Sequence, residues 1–361
     1  MSEGPAAVEL LRVRLPLKRP FTTSFGTSAD KECVLVRAIG SDGAEGWGEC
    51  TAMEAPRYSG EWNDGAWLVL RDHLIPAALA GRPSGIRGHP MAEAALEVAL
   101  VDLELRSKGV SLAKHLGGVR DRVPCGVSVG IEDRIDDLLE VVSGFVAAGY
   151  RRVKLKIEPG RDAAVVRAVR DAFPDAPLSV DANAAYTRET AEVLLELDEL
   201  GLEYVEQPLP EDDLLGHIEL QRRMATPLCL DETVTSARVA RGAIELEACR
   251  IINVKLGRVG GLVEALRIHV VAREAGVPLW VGGMLETGVG RAANVALASL
   301  PGFTLPGDTS ASDRYFERDL TEPFVVEPDG TMAVPHGPGL GVTPLPDRLE
   351  AATVDRVTVR P

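Results

Sequence analysis

Five charged residues interrupt otherwise apolar segments of this sequence, and their types and spacing could support chemistry. They are Lys156, Asp181, Glu206, Asp231 and Lys255, at successive intervals of 25, 25, 25 and 24 residues. Each ends a short β-branched or apolar run, as in VKLK, LSVD and LCLD. One strand with its following helix has about this length, so each charge occupies an equivalent place on successive strands. One such charge is typical of a surface loop boundary, but five in register indicate a site.

The three acidic residues of this series predict a site for a hard divalent cation. Oxygen ligands without cysteine or histidine favour Mg²⁺ or Mn²⁺ over zinc, and three unpaired carboxylates close together would repel one another. Lys156 and Lys255 flank the acids on either side. If CGVSVG is the first of eight barrel strands, the two lysines lie four strands apart and face each other across the barrel.

The lysines suit the removal of a proton alpha to a carboxylate. Lys154 and Lys156 point to the same side of their strand, because side chains alternate along a strand. We expect two crowded ammonium groups in a partly dry cavity to lower the pKa of both, as a lysine base requires. Proton removal would generate a doubly charged enediolate. A divalent cation on the carboxylate oxygens would offset that charge while a lysine takes the proton.

The elements that must position these residues form two units and a tail. Residues 1–122 predict an α+β unit, in which the strands VELLRVRLPL, ECVLVRAIG and EGWGECT precede the helical segment MAEAALEVALVDLELRSKG. The segment FTTSFGTS predicts a mobile surface loop between the first two strands. Residues 123–315 alternate eight strand-like runs with helical segments, which favours an α/β fold with a (β/α) barrel, although an open doubly wound sheet has the same alternation. Residues 316–361, rich in proline and glycine, are expected to return to the first unit.

Composition and charge exclude several classes of function. The net charge is −15, aromatic residues make up 4%, and no segment clusters basic residues, so we expect neither nucleic acid nor an anionic membrane as a partner. The longest charge-free run, 330–346, has 17 residues with four prolines and is unsuited to spanning a bilayer. The N-terminus lacks the features of a signal peptide. Five scattered cysteines without CxxC spacing predict reduced thiols in a cytoplasmic protein.

Longer motifs resemble a known superfamily. VKLKI, VDANAAYT, EYVEQPL, CLDE, NVKLGRVGG and GGMLETGVGRAANVALASLPGFTLPGDTSASDR together resemble the muconate-lactonizing subgroup of the enolase superfamily. Within it, they are most similar to o-succinylbenzoate synthases, which act in menaquinone biosynthesis, that also serve as N-succinylamino acid racemases. The likeness runs from about Leu15 to Val342. A metal-assisted lysine base is characteristic of this superfamily. The motifs do not separate the two activities.

The resemblance implies a role for each matching residue. Asp181, Glu206 and Asp231 would bind Mg²⁺ or Mn²⁺, and Lys156 and Lys255 would act as acid and base. A capping domain would close over the barrel through its loops 21–27 and about 50–58. Glu232 is expected to point away from the metal, and the protein is expected to form a homo-oligomer. The small-molecule carboxylate substrate would contact Lys154, Ser128, Asn183, Gly283 and Leu285 of the barrel, and Phe25, Met53 and Tyr58 of the cap. For the three cap residues, packing in a hydrophobic core is almost as good an interpretation.

Other activities of the superfamily, and a dinucleotide-dependent one, are alternatives to this function. Mandelate racemase-like relatives use a late histidine base, which LWVGGM lacks, and dipeptide epimerases carry a DxD pair where this chain has GDTSASD. A muconate cycloisomerase stays possible. GVGRAA at 288–293, with Asp308 twenty residues after Gly288, fits a dinucleotide-binding fingerprint of an NAD-dependent oxidoreductase, but too little chain follows for a Rossmann sheet. We interpret it as a helix start whose backbone N–H groups could hold a substrate anion. A non-catalytic protein would have little use for both lysines and all three acids.

Overall fold

The computed structural model describes residues 4–23 and 26–361. It has a four-stranded antiparallel sheet, a parallel barrel and a small two-stranded sheet. The strands are β1 (Ala7–Thr23), β2 (Gly26–Ile39), β3 (Glu45–Cys50), β4 (Arg122–Pro124), β5 (Gly126–Val129), β6 (Arg152–Lys156), β7 (Leu178–Asp181), β8 (Val205–Glu206), β9 (Leu228–Leu230), β10 (Ile251–Val254), β11 (Leu279–Val281), β12 (Thr331–Ala333) and β13 (Thr353–Val359).

The helices mostly lie between these strands. A π-helical turn, Leu70–Leu74, joins α1 to α2, and 3₁₀ helices span Thr190–Leu200 and Ser312–Arg314. The α-helices are α1 (Asn63–Val69), α2 (Ile75–Leu79), α3 (Pro90–Lys108), α4 (Leu112–Leu116), α5 (Ile135–Ala147), α6 (Ala163–Ala172), α7 (Leu214–Arg223), α8 (Ala237–Glu245), α9 (Leu256–Val259), α10 (Leu262–Ala275), α11 (Gly288–Ala298) and α12 (Pro346–Ala352).

The N-terminal sheet has the strand order β13-β1-β2-β3, so the expected three strands are confirmed and the C-terminus supplies a fourth. The prediction of a surface loop at FTTSFGTS is wrong for the residues that the structure describes. β1 and β2 extend into this segment as a hairpin, with Phe21 paired to Ser28 and Thr22 to Thr27. Threonine and phenylalanine favour extended, paired backbone, and this preference outweighs the polarity of the segment.

Two glycines let helix α3 pack directly on the N-terminal sheet. A Cβ atom at Gly46 would lie 2.2 Å from the Ala99 carbonyl oxygen, and one at Gly48 would lie 2.0 Å from the Ala95 carbonyl oxygen. Both carbonyls belong to α3. Any side chain at these two positions of β3 would therefore push the helix away from the sheet. The contact buries Ala95 and Ala99 completely.

The second unit is a closed parallel barrel. β5 to β11 pair in chain order, each strand with the next. The segment 303–308 supplies the eighth side, because Phe303 forms a parallel bridge with Leu279 of β11 and Gly307 forms one with Cys125 beside β5. Closure confirms the barrel and excludes the open sheet. The strand order also puts β6 and β10 four strands apart, on opposite sides of the barrel.

The C-terminal segment joins the two units. β12 pairs with β4, and β13 pairs antiparallel with β1, with Val8 opposite Val359. The C-terminal strand thus lies beside the first strand of the chain, while the division into units at residues 122 and 315 stays a prediction. Among the described residues, no helix is both long enough and apolar enough to cross a bilayer. All five cysteines lie in the described part of the chain, and each is a buried free thiol.

Candidate active site

A cavity of about 220 Å³ lies between the barrel mouth and the N-terminal unit. Its floor includes Lys154, Lys156, Asp181 and Lys255 from the carboxyl ends of barrel strands. In parallel barrels, this face carries the functional residues, because the loops that follow the strands surround it. The structure therefore brings both predicted acid/base lysines to one cavity.

Lys156 is held by two acceptors at the end of β6. Its Nζ donates to Asp181 Oδ2 at 2.6 Å and to Asn183 Oδ1 at 2.5 Å. Asn183 has a φ of 44° and donates its own side-chain amide to Glu232 Oε1 at 3.1 Å. Glu232 is buried and does not line the cavity, so it touches the site through Asn183, not directly. These contacts fix the direction in which the Lys156 amine points.

Lys255 occupies the opposite side of the cavity floor, directly after β10. Its Nζ donates to Asp231 Oδ2 at 2.8 Å and lies 4.5 Å from the centre of the Tyr58 ring. Burial alone would lower the pKa of Lys255, but Tyr58, Glu232 and the other acids raise it by more, so it lies above its usual range. Arg258 binds the second oxygen of Asp231 and donates to the Tyr58 hydroxyl at 3.3 Å.

Lys154 departs from expectation in its electrostatics. Its Nζ lies 2.6 Å from Glu206 Oε2 and 3.0 Å from Asp308 Oδ2. Burial lowers its pKa, but Asp308, Glu206 and Asp181 together raise it by more, so the pKa of Lys154 is above its usual range. The expectation of a lowered pKa is wrong here, because it counted the neighbouring ammonium and overlooked the surrounding carboxylates. Lys154 is only 2% exposed and suits a fixed positive charge.

The three predicted metal ligands lie next to one another at the strand ends. Asp181 pairs in register with Glu206, and Glu206 with Cys229, two residues before Asp231. Burial, with repulsion from Asp181 next, raises the pKa of Glu206. Each acid has a cationic partner: Lys156 for Asp181, Lys154 for Glu206, and Lys255 for Asp231. In this arrangement no group of three or more acidic, histidine or cysteine side chains among the described residues is close enough to hold a metal ion.

The donor set nevertheless fits a hard cation. All three side chains offer carboxylate oxygens and come from adjacent strands, and Asp181 and Glu206 are paired in register, where two negative charges repel each other. Asn253 donates to Glu206 Oε1 at 2.8 Å and fixes that carboxylate from behind. Ligation would require the acids to exchange their lysine and arginine contacts for the ion.

The predicted substrate contacts are brought together to the extent that the structure describes them. Phe25 lies outside the described residues. Tyr58 also contacts Lys255, as above, so it joins the cap to the barrel floor. The predicted contacts that line the cavity are Lys154, Ser128, Asn183, Gly283 and Leu285 from the barrel, and Met53 and Tyr58 from the N-terminal unit.

The start of α11 does not offer the free N–H groups that the sequence analysis proposed for a substrate anion. Glu49 of β3 accepts from the backbone N–H groups of Thr287, at 3.1 Å, and Gly290, at 3.0 Å. Asp319 accepts from the N–H of Gly288 at 2.9 Å. Two carboxylates of the protein itself thus occupy this helix terminus. The GVGRAA motif serves contact between the two units, which also removes the support for a dinucleotide site.

Comparison with known proteins gives the family. Residues 6–117 match the model of the mandelate racemase / muconate lactonizing enzyme N-terminal domain, and residues 137–348 match the enolase C-terminal domain-like model. An N-succinylamino acid racemase of an Amycolatopsis species is 56% identical, over 98% of this chain and 99% of its own. An o-succinylbenzoate synthase of Geobacillus kaustophilus is 50% identical, over 92% of each chain.

A solved structure agrees in fold. The member of the enolase superfamily from Listeria innocua superposes with a TM-score of 0.93, at 38% identity, over 99% of both chains. This chain belongs to the enolase superfamily. It is an enzyme of the mandelate racemase / muconate lactonizing enzyme family, and its fold is the capped barrel that the sequence predicted. The likeness covers both units, so the N-terminal sheet and the barrel are matched together.

Three polar residues of this enolase-superfamily site were not assigned to it from the sequence, and one of them, Asp308, was considered only as part of a dinucleotide fingerprint. Asp308 ends the eighth barrel segment and binds Lys154, Arg152 and Ser128, at 3.0, 2.6 and 3.2 Å. The strand-end rule that found the other acids applies to FTLPGD as well, and would have found it. Arg152 is two residues before Lys154, so alternation along β6 would have placed it on the same inner face. Arg258 follows its strand by a helical turn, and no local pattern distinguishes it.

Proposed function

We propose that this enzyme removes the proton alpha to a carboxylate, as an o-succinylbenzoate synthase, an N-succinylamino acid racemase, or both. The observation that carries the proposal is the presence of Lys156 and Lys255 in one cavity, on strands four apart in the barrel. The names of the relatives at 56% and 50% identity support these substrates. An amine on each side of a bound substrate suits racemization, which takes a proton from one face of a carbon and returns one to the other.

The two lysines would divide the work by face. In racemization, one lysine accepts the alpha proton, and the other, protonated, delivers a proton to the opposite face; the reverse direction exchanges the roles. In dehydration, one lysine takes the alpha proton, the hydroxyl leaves with the electron pair of its C–O bond, and the same ammonium protonates it to water. Asn183 accepts from Lys156, and the Tyr58 ring lies beside Lys255. These two contacts would keep the amines oriented when Asp181 and Asp231 bind an ion. Lys154 adds a fixed positive charge to the floor.

A divalent cation belongs to this proposal, as membership of the superfamily implies. We assign Asp181, Glu206 and Asp231 as its ligands and Mg²⁺ as the ion, with Mn²⁺ as the alternative, because hard carboxylate oxygens are the donors present. When bound, the ion would offset the negative charge that grows on the substrate carboxylate. Asn253 would hold Glu206 in place, because its contact with Oε1 is not one of the cationic contacts that the ion would replace.

A dipeptide epimerase is disfavoured by the contacts of Asp308. Its carboxylate is bound to Arg152 and Lys154. Burial raises the pKa of Asp308, but Lys154 and Arg152 lower it by more, so this pKa lies well below its usual range. A carboxylate occupied in this way is not open to a substrate ammonium. The residue two positions on is Ser310, so the pair of acids is incomplete. A muconate cycloisomerase uses the same floor and remains the second candidate.

The setting of the enzyme is part of the proposal. We place it in the cytoplasm, supported by its five buried free thiols, which suit a reducing compartment. A homo-oligomer without nucleic-acid or membrane partners remains a prediction.

An assay of purified enzyme on both substrate types tests the proposal. The substrates are an N-succinylamino acid, followed by polarimetry, and the hydroxylated cyclohexadiene whose dehydration yields o-succinylbenzoate, followed by absorbance. We expect turnover of at least one with Mg²⁺ added, loss in EDTA, and recovery when Mg²⁺ is restored in excess. Turnover of neither substrate would overturn the proposed function, and full activity in EDTA would overturn its metal requirement.

A further inference from the structure

A lysine of the N-terminal unit lines the cavity opposite the barrel floor. Lys31 lies on β2 and is only 7% exposed. Its Nζ donates to the backbone oxygen of Met284 at 2.9 Å, in the loop that also supplies Gly283 and Leu285 to the cavity. Lys31 is therefore a buried cation at the cap side of the site, with no role in the proton transfer described above.

The hydrogen bonds of Lys31 are incomplete. An ammonium has three N–H donors, and the contact with Met284 is the one hydrogen bond that the described residues offer it. None of the described carboxylate oxygens lies within 4.0 Å of its Nζ. Glu49 is near enough to interact with its charge, but that carboxylate already accepts from Thr287 and Gly290. Lys31 thus brings hydrogen-bond donors that its described surroundings do not use up.

The described acids on the cap side of the cavity do not form an ion pair with Lys31. Glu32 is paired with Arg14 at 2.6 Å and with Arg12 at 3.6 Å. Asp30 is partly exposed and Glu54 is exposed, so water screens both. A buried ammonium with spare donors is a strong recognition element for a carboxylate, because a charge-assisted hydrogen bond there competes little with water.

We propose that Lys31 binds the second, distal carboxylate of the substrate. This inference rests on the proposed function, in which both candidate substrates carry a succinyl group that ends in a carboxylate. The reacting carboxylate would lie at the barrel floor, near Lys156 and Lys255. The far end of the molecule then extends toward the cap, where Lys31 is the buried cation. Lys31 would select substrates with a charged acyl end over those with a neutral one.

The test compares two substrates that differ only at that end. One is an N-succinylamino acid; the other carries a terminal amide in place of the distal carboxylate. We expect the natural enzyme to show a KM about tenfold or more lower for the carboxylate form, with similar kcat. In Lys31→Met, which keeps an unbranched apolar chain, the KM of the carboxylate form should rise to that of the amide, while the KM of the amide stays within about twofold.

Lys108→Met is the matched control. It removes the same charge from the exposed end of α3, where Lys108 pairs with Glu104, and it should leave the ratio of the two KM values unchanged. Thermal melts of both variants check that they fold.

The results distinguish binding of the distal carboxylate by Lys31 from structural support of the Met284 loop. If Lys31→Met weakens both substrates equally, the residue only supports the Met284 loop and the proposal is wrong. If the natural enzyme does not discriminate between the two substrates, the proposal is wrong even where Lys31→Met fails to fold. Absence of turnover of both the N-succinylamino acid and the hydroxylated cyclohexadiene by the natural enzyme would instead contradict the proposed function.

Discussion

At the scale of single residues, the site works through pairing of opposite charges in a buried place. Asp181 shows this most clearly: burial raises its pKa, but Lys156 and Lys154 lower it by more, so it stays ionised in the physiological range. The same contacts hold the lysines in a fixed geometry. A buried pair of this kind is costly to break, because removing one partner leaves the other charge without compensation.

Asp231→Asn tests the metal assignment at this scale. The substitution keeps the shape and removes one charge, and it leaves Lys255 and Arg258 facing a neutral amide. Substitution of a residue that only hydrogen-bonds to a metal ligand typically lowers metal affinity by about 10- to 100-fold. We therefore expect loss of the ligand itself to weaken Mg²⁺ binding about a hundredfold or more and to abolish turnover. Calorimetric titration with Mg²⁺ measures this without relying on activity.

A surface acid provides the control for that experiment. Asp171→Asn, on the exposed side of α6, removes the same charge and should bind Mg²⁺ as the natural enzyme does. Undiminished Mg²⁺ affinity in Asp231→Asn would show that the ion is held elsewhere.

At the scale of elements, the features that recur in every strand–helix unit of the barrel could be predicted from the sequence, and features that occur only once could not. The regular spacing of strand-end charges located Lys156, Asp181, Glu206, Asp231 and Lys255, because each repeat of a barrel places its strand end on the same face. Hairpin pairing at FTTSFGTS was missed because a polar segment gives no periodic signal.

Side-chain partners were also beyond the reach of the sequence. Which carboxylate meets Lys154 depends on the closure of the barrel, which brings Asp308 beside β6 from 154 residues away. The filling of the α11 terminus by Glu49 depends on how the two units dock. Both are contacts between distant parts of the chain, which local pattern does not encode.

The first turn of α3 makes stability depend on pH. Glu61 accepts from the N–H groups of Met91 and Ala92 at 2.7 and 2.9 Å. Burial nevertheless raises its pKa to about 7, so the folded protein holds a proton that the unfolded chain has lost above pH 4.5. Since the folded state binds more protons, this group makes the free energy of unfolding fall as pH rises from about 4.5 to 7.

Glu61→Gln removes that titration and keeps one acceptor oxygen. We expect its free energy of unfolding, from urea titrations at pH 5 and pH 7.5, to change less with pH than that of the natural enzyme. Glu104→Gln, at an exposed position of α3, should keep the natural dependence. An equal pH dependence in Glu61→Gln and the natural enzyme would show that the carboxyl ionises in the folded state as it does in water.

At the scale of the whole molecule, Glu49 joins the sheet of the N-terminal unit to the barrel helix α11. It accepts from Thr287 Oγ1 at 2.6 Å as well as from two backbone N–H groups. Glu49→Ala would leave these donors buried without partners, each at a cost of about 1–3 kcal/mol. We expect the free energy of unfolding to fall by about 3 kcal/mol or more, measured by urea denaturation.

Glu45→Ala serves as the comparison, since it lies on the same strand and makes only a partly exposed contact with Arg37. It should cost less than about 1 kcal/mol. If the two variants are equally stable, Glu49 does not hold the units together.

In the proposed function, Lys156 and Lys255 lie on opposite sides of the whole barrel, and each serves one face of the substrate's alpha carbon. Exchange of the alpha proton in D₂O, followed by NMR for each enantiomer of an N-succinylamino acid, tests it most directly. Lys156→Ala should lose racemization in both directions and still exchange the proton of one enantiomer, and Lys255→Ala should exchange only the other. Normal exchange of both enantiomers in either variant would contradict the claim, since a single base would then serve both faces.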